Sequence, residues 1–284
     1  MAENRKCLVF WDIDGVLRDL DKAVFGYYPE EWMTKVKGMD FIEYVSKNKR
    51  VLLEASPTDY VKALRKLCKL SFLENRILSS QPQDWREHTL HWLQRNVSED
   101  IKIEFVDFPE QKLNRVREEL KKNIWLSVYL IDDYPFRGNM EGLENNLLVV
   151  DRKYNRKYEV KRRVDSPGQL LIFFGVLQLF GFKKYFVPWV EACYMIARNR
   201  GWWDEERNKG ELIALMHSEL SEALEELRSP EVHWDKVYEE LADCCIRIFD
   251  FVTKFGTGGE IFVDVFWRKM LKNVFRPYKH GKRF

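Results

Sequence analysis

Apolar and polar positions along the chain change rhythm near its middle. Before Asn155, short continuous apolar runs alternate with longer stretches whose apolar residues recur every three or four positions. Leu8–Trp11, Asn75–Ser79, Ile101–Val106, Ser127–Ile131 and Leu147–Val150 read as strands, and runs without polar interruption belong to buried parallel sheets. Between them Glu54–Leu70, Asp84–Arg95 and Gln111–Lys122 read as helices. Ser56 suits the first as N-cap and Pro57 as first helical residue. Strands and helices in alternation predict a doubly wound parallel sheet. From Pro188 onward only the helical period remains. Glu211–Arg228 gathers Leu212, Leu215, Met216, Leu220, Ala223, Leu224 and Leu227 on one face, and Asp235–Lys254 does likewise with Val237, Leu241, Cys244, Ile248, Phe251 and Val252. The fold class is therefore α/β followed by all-α: a doubly wound parallel sheet, then a helical bundle.

The first strand runs directly into Asp12, Asp14 and Gly15. Ligand sites of open α/β sheets lie beyond the carboxyl ends of the strands. Strand alternation would send the two aspartates to opposite faces unless the chain bends at once, and Gly15 permits such a bend. Taken alone, the pair also fits a solvated acidic turn.

Later stretches change that balance. Leu8–Asp19 (Leu-Val-Phe-Trp-Asp-Ile-Asp-Gly-Val-Leu-Arg-Asp) resembles the first motif of haloacid dehalogenase-like phosphatases. Ser79, Lys112 and the pair Asp132–Asp133 follow in the order of that family's other motifs, and Leu147–Asn155 resembles the closing strand of deoxyribonucleotidase-like members. Ser56 is a rival for the second motif, but Ser79 has the better spacing to Lys112 and Asp132. The resemblance implies Asp12 as nucleophile, Asp14 as proton donor and acceptor, and Ser79 with Lys112 on the phosphoryl oxygens. It implies Mg²⁺, or Mn²⁺, among Asp12, Asp14, Asp132 and Asp133. It also implies that the aromatic-rich Leu20–Leu73 forms a cap over the substrate, its rings either stacking on a base or packing the cap itself.

The two C-terminal helices each carry carboxylates three apart, Glu219 with Glu222 and Glu240 with Asp243. Such pairs share a helix face, and read as solvated acidic faces or as a cage of hard oxygen ligands. Gly201–Arg228 followed by Glu239–Asp250 resembles the MazG-like nucleoside triphosphate pyrophosphohydrolases, with Ser218 where many members carry a further glutamate. The resemblance implies those four carboxylates as Mg²⁺ ligands and cleavage between the α- and β-phosphates. Trp202 or Trp203 would stack on the base or pack the core. Lys269, Asn273 and Arg276, on one side of a helix that stops at Pro277, suit phosphate binding or a basic tail.

Composition narrows the rest. A net charge of +2 across 284 residues gives no sign of a nucleic-acid coat or membrane-surface protein. Five cysteines without metal-ligand spacing read as reduced thiols in a cytoplasmic protein. The opening apolar run is too short for a signal peptide. Gly168–Phe182 is apolar but shorter than the ~20 residues a spanning helix needs, so it reads as a buried helix or a subunit interface. Asp151–Pro167 is densely basic and reads as a linker, with nucleic-acid contact as the alternative. The expected division is 1–158 phosphatase domain, 159–187 linker and apolar helix, 188–284 pyrophosphohydrolase domain. The chain is thus expected to be a bifunctional nucleotide hydrolase and homo-oligomer with nucleotide substrates, without membrane or specific nucleic-acid partners. The alternative is a nucleotide sensor or oligomerisation module in which one site at most turns over.

Overall fold

The computed structural model describes residues 5–32, 34–98, 100–134, 136, 140–180, 183–256 and 258–276. In chain order the first part contains β1 (Cys7–Trp11), α1 (Leu20–Phe25), α2 (Phe41–Lys47), α3 (Arg50–Glu54), α4 (Tyr60–Leu67), β2 (Leu73–Ser80) and α5 (Arg86–Asn96). There follow β3 (Lys102–Val106), α6 (Pro109–Lys121), β4 (Ser127–Asp132), β5 (Leu147–Val150) and β6 (Arg163–Val164). The strands make one parallel sheet in the order β3-β2-β1-β4-β5-β6. Strand order runs outward from β1 in both directions, so the crevice between the carboxyl ends of β1 and β4 is the switch point where such sheets bind ligands.

Every residue of β1 is buried, as a central parallel strand requires. Alternation puts Leu8, Phe10, Val128, Leu130 and Val149 in one cluster, on which Leu113 and Val116 of α6 pack. That packing fixes α6 over the sheet and carries Lys112 to the strand ends. A separate cluster, Leu20, Val36, Phe41, Val45, Leu52, Ala55 and Trp85, forms the core of the helical insert after β1.

Three expectations need correction, and the apolar segment takes the first of its two readings. The helix expected over Glu54–Leu70 is confined to α4, Tyr60–Leu67, and Ser56–Thr58 lies outside it, between α3 and α4. There Asp19 N donates to the Ser56 carbonyl (2.9 Å) and Thr58 N to the Leu17 carbonyl (2.8 Å), so this backbone serves the loop after β1 and Ser56 caps nothing. The basic stretch is no plain linker, because Arg163–Val164 adds a sixth strand beside β5. The apolar segment is α7 (Pro167–Phe180), whose Leu170, Phe173 and Phe174 are buried. Phe173 lies against Tyr129 (5.3 Å) and Phe275 (5.3 Å), so this face is covered within the chain. The helix expected from Pro188 starts earlier, as α8 (Lys183–Asn199), and takes Pro188 into its interior.

The chain divides into two compact units at Gly175 and Val176, and returns to the first at Val274. The second unit holds α8, α9 (Lys209–Arg228), α10 (Trp234–Phe255) and all but the last residue of α11 (Gly259–Val274). Within it α10 packs on both α9 and α8. Asn208 caps α9 by accepting from the Gly210 and Glu211 amides. Among the described residues no single helix is long and apolar enough to cross a membrane.

Candidate functional site

The chain does bend immediately after β1. The Ile13 carbonyl accepts from the amides of Val16, Leu17 and Arg18, and Gly15 takes φ +79°. A Cβ at Gly15 would fall 1.8 Å from Asp133 Oδ2, so the backbone approaches that carboxylate as only glycine allows. The bend turns Asp12 and Asp14 toward one cavity of about 280 Å³, which Ser79, Gln81, Lys112 and Asp133 also line.

Lys112, buried on α6, lies at the centre of the cluster. Its Nζ is 2.8 Å from Asp12 Oδ1 and 2.8 Å from Asp132 Oδ2. Asp132 Oδ1 accepts from the Tyr134 amide (2.9 Å). Asp133 accepts from the Tyr154 hydroxyl, and Asn155 donates to the carbonyls of Asp133 and Val150. Arg152 donates through Nε and Nη2 to the Gly15 carbonyl. Burial pushes the Asp12 carboxyl up to about 7 despite the pull of Lys112. Burial, followed by the charges of Asp132 and Asp12, raises Asp133 well above the carboxylate range. Burial alone would lower Lys112, but Asp12 and Asp132 outweigh it and keep the ammonium protonated.

The ligand atoms of Asp12, Asp132 and Asp133 lie within 4.8 Å of one another and could hold a metal ion. Asp133 Oδ1 is buried without a hydrogen-bond partner, which fits a hard cation taking oxygen ligands. Asp14 stands apart from this group. Both its oxygens face Arg18, at 2.7 and 3.0 Å, and Gln81 Nε2 donates to Oδ2 as well. Aromatic side chains make up much of the remaining wall: Phe25, Trp32, Phe41, Trp85, Tyr134 and Tyr154. Trp32 packs edge-on against Tyr134 and Tyr154 (5.4 and 5.1 Å).

Arg18, Gln81, Arg152, Tyr154 and Asn155 were not singled out from the sequence. Arg18 carried a slight signal, being a charge directly after the apolar pair Val16–Leu17. Tyr154 and Asn155 follow the end of a buried strand, where the rule applied to β1 and β4 holds equally. Gln81 carried none.

In the helical unit Glu219 (buried), Glu222 and Glu240 come within 4.8 Å of one another and could likewise hold an ion. Asp243, the fourth residue expected there, is exposed and outside that group. Burial, then the charges of Glu222, Glu219 and Asp243, raises Glu240. Glu219 is already engaged, its Oε1 2.6 Å from Arg247 Nε. Asp243 and Arg247 line a second cavity of about 230 Å³ with Arg200, Arg207 and Trp202. The two tryptophans separate in role. Trp202 faces this cavity under the Arg207 guanidinium (5.5 Å), whereas Trp203 packs on Phe255 and donates to Asp250 (2.9 Å). Lys269 and Asn273 are exposed on α11 and Arg276 lies past its end; none of them lines either cavity. Pro277 lies outside the described residues. Compared with models of known protein families and with curated proteins, the chain matches none.

Proposed function

We propose that the protein is a bifunctional nucleotide hydrolase. Its α/β unit removes phosphate from a nucleoside monophosphate through Asp12, and its helical unit cleaves a nucleoside triphosphate to monophosphate and pyrophosphate. The observation that carries the first half is the Lys112 ammonium held between Asp12 and Asp132 at the carboxyl ends of β1 and β4.

In this reading a carboxylate oxygen of Asp12 attacks phosphorus while the bond to the leaving oxygen breaks, and Asp14 gives that oxygen a proton. Water then attacks the aspartyl phosphate, gives its proton to Asp14, and releases inorganic phosphate with Asp12 restored. Ser79 and Lys112 hold the phosphoryl oxygens. Asp12, Asp132 and Asp133 would hold Mg²⁺ or Mn²⁺, which supplies charge neutralisation to the transferring group. In the helical unit Glu219, Glu222 and Glu240 would hold the cation, with Asp243 facing the neighbouring cavity where Trp202 meets the base.

A second reading applies to the helical unit alone: it binds nucleotide or joins subunits without turnover. The Glu219–Arg247 pair and the exclusion of Asp243 from the carboxylate group favour it. A chromatographic time course of tri-, mono- and dephosphorylated nucleoside, with phosphate and pyrophosphate measured separately, tests both. Asp12→Asn should stall the sequence at the monophosphate. Glu222→Gln should block pyrophosphate release yet leave added monophosphate hydrolysed. Absence of pyrophosphate release from the intact protein selects the second reading. Retained phosphate release in a folded Asp12→Asn protein refutes the first half.

A further inference from the structure

Arg18 exposes none of its side chain. A guanidinium is tolerated in such a place when its charge is paired and its donors are taken up. Nε and Nη2 donate to the two oxygens of Asp14, Nη1 to the Leu52 carbonyl (3.0 Å), and Nη2 also to Thr89 Oγ1 (3.1 Å). Its Cζ lies 5.4 Å from the Trp92 ring centroid. The arginine is thus anchored on α3 and α5 and cannot follow Asp14 if Asp14 turns. From the other side Gln81, also buried, donates to the same carboxylate and lines the same cavity.

A pair that served stability alone would have no reason to show its carboxylate to a cavity. Asp14 keeps 24% of its side chain exposed where Arg18 keeps 0%, and it lines the cavity beside Asp12. The pair is therefore core on one side and site on the other. Bidentate arginine fixes a carboxylate in its plane as well as in place.

We infer that Arg18 and Gln81 are positioning residues that hold Asp14 in one orientation toward the phosphate leaving group. The inference rests on the phosphatase reading above. Asp14 hands its proton to the leaving oxygen as the P–O bond breaks and its electron pair moves to that oxygen; Arg18 and Gln81 form and break no bond. A loosened Asp14 would slow transfer from leaving groups that need a proton and spare those that do not. Misplacement by 1 Å costs about 100-fold.

The test compares kcat/KM, which reads phosphoryl transfer to Asp12, for a nucleoside 5′-monophosphate and for 4-nitrophenyl phosphate, whose leaving group needs no proton. Arg18→Met should lower the first by about 100-fold and the second by less than about tenfold, the general-acid share being lost from one substrate alone. Gln81→Leu should show the same selectivity at about a tenth of the size. Mg²⁺ affinity by calorimetry without substrate should stay within about twofold, since neither residue touches Asp12, Asp132 or Asp133. Equal losses on both substrates, or no loss on either, overturn the inference. If Arg18→Met does not fold, Gln81→Leu decides it. An intact protein that hydrolyses neither substrate refutes the phosphatase reading, and this inference with it. Turnover by the intact protein with unselective variants refutes the inference alone.

Discussion

Lys112→Met keeps most of the stem's volume and removes the charge from the centre of the α/β site. Lys112 exposes 2% of its surface, and its ammonium meets two carboxylates at 2.8 Å each. Without it Asp12, Asp132 and Asp133 remain within 4.8 Å of one another, and Asp12 and Asp132 lose the ammonium paired with them. Removing one partner of a buried pair costs about 3–5 kcal/mol. For a unit of this size each kcal/mol lowers the melting midpoint by about 2–4 °C, so the drop should be about 6–20 °C. Protonation of Asp12 caps the loss, and excess Mg²⁺ should repair part of it. A cation at a hundred times its Kd restores about 2.7 kcal/mol. The assay is calorimetric melting in EDTA and in excess Mg²⁺, with Lys47→Met as control. Lys47 sits in an exposed pair with Glu43, and such pairs contribute about 0–1 kcal/mol. A midpoint for Lys112→Met matching the intact protein in EDTA would refute the charge argument, as would a deficit that Mg²⁺ leaves unchanged.

Gly15→Ala should weaken Mg²⁺ binding more than about tenfold by calorimetry, since the left-handed φ costs about 1–2 kcal/mol and the new methyl must displace Asp133. The raised carboxyls give a pH dependence with a definite sign. Asp12 rises from 3.8 to about 7, so its contribution to stability is present below the lower value and is lost as pH rises through the higher. Metal-free protein should melt lower at about pH 8 than at about pH 5; Mg²⁺ or Asp12→Asn should flatten that slope, and an unaltered slope in both would count against it. Association should run through α9, where Ile213, Leu220, Leu224 and Leu227 are exposed at spacings that share one face. Leu220→Lys with Leu224→Lys should lower the mass seen by light scattering, and an intact protein that is already monomeric would end that expectation.

The sheet was legible because its signal is local. A strand such as Leu8–Trp11, buried on both faces, has to be apolar throughout, and the aspartates at the ends of β1 and β4 mark the end that faces the cavity. Lys112 was found by order along the chain, although nothing in the charged run Gln111–Lys122 distinguishes the one lysine that turns inward. That depends on Leu113 and Val116 docking on the sheet. Tyr154 and Asn155 were hidden by their basic surroundings, in which most charges are solvated and these two side chains are not. The Glu54–Leu70 helix starts late, at Tyr60, because Ser56–Thr58 had a long-range partner, the backbone of 16–19, that no local rule registers. The carboxylates of α9 and α10 were found by period, but period gave Asp243 the same standing as Glu240 and could not see that Arg247 would claim Glu219.

Buried polarity separates the two candidate sites further. The buried polar side chains among the described residues are Asp12, Arg18, Ser79, Gln81, Thr89, Lys112, Glu119, Asp132, Asp133, Asn155 and Glu219. Glu119 belongs to a surface network with Arg115, Lys122 and Trp125, and Glu219 to the helical unit. All the others but Thr89 line the cavity at the carboxyl ends of β1 and β4 or bond to a residue that does, and Thr89 accepts from Arg18, which pairs with the cavity-lining Asp14. Burying a charge is costly unless it is paired, and apolar residues of similar volume would often serve stability as well or better. Concentrating that cost in one crevice is therefore hard to account for by folding alone, whereas a site that must hold a cation and a phosphate in a dry, fixed geometry calls for it. Among its described residues the helical unit has one buried carboxylate, Glu219, which is paired with Arg247. Its chemistry consequently depends on whether a cation displaces the arginine, a competition that metal titration of Arg247→Met against the intact protein would read as tighter binding in the variant.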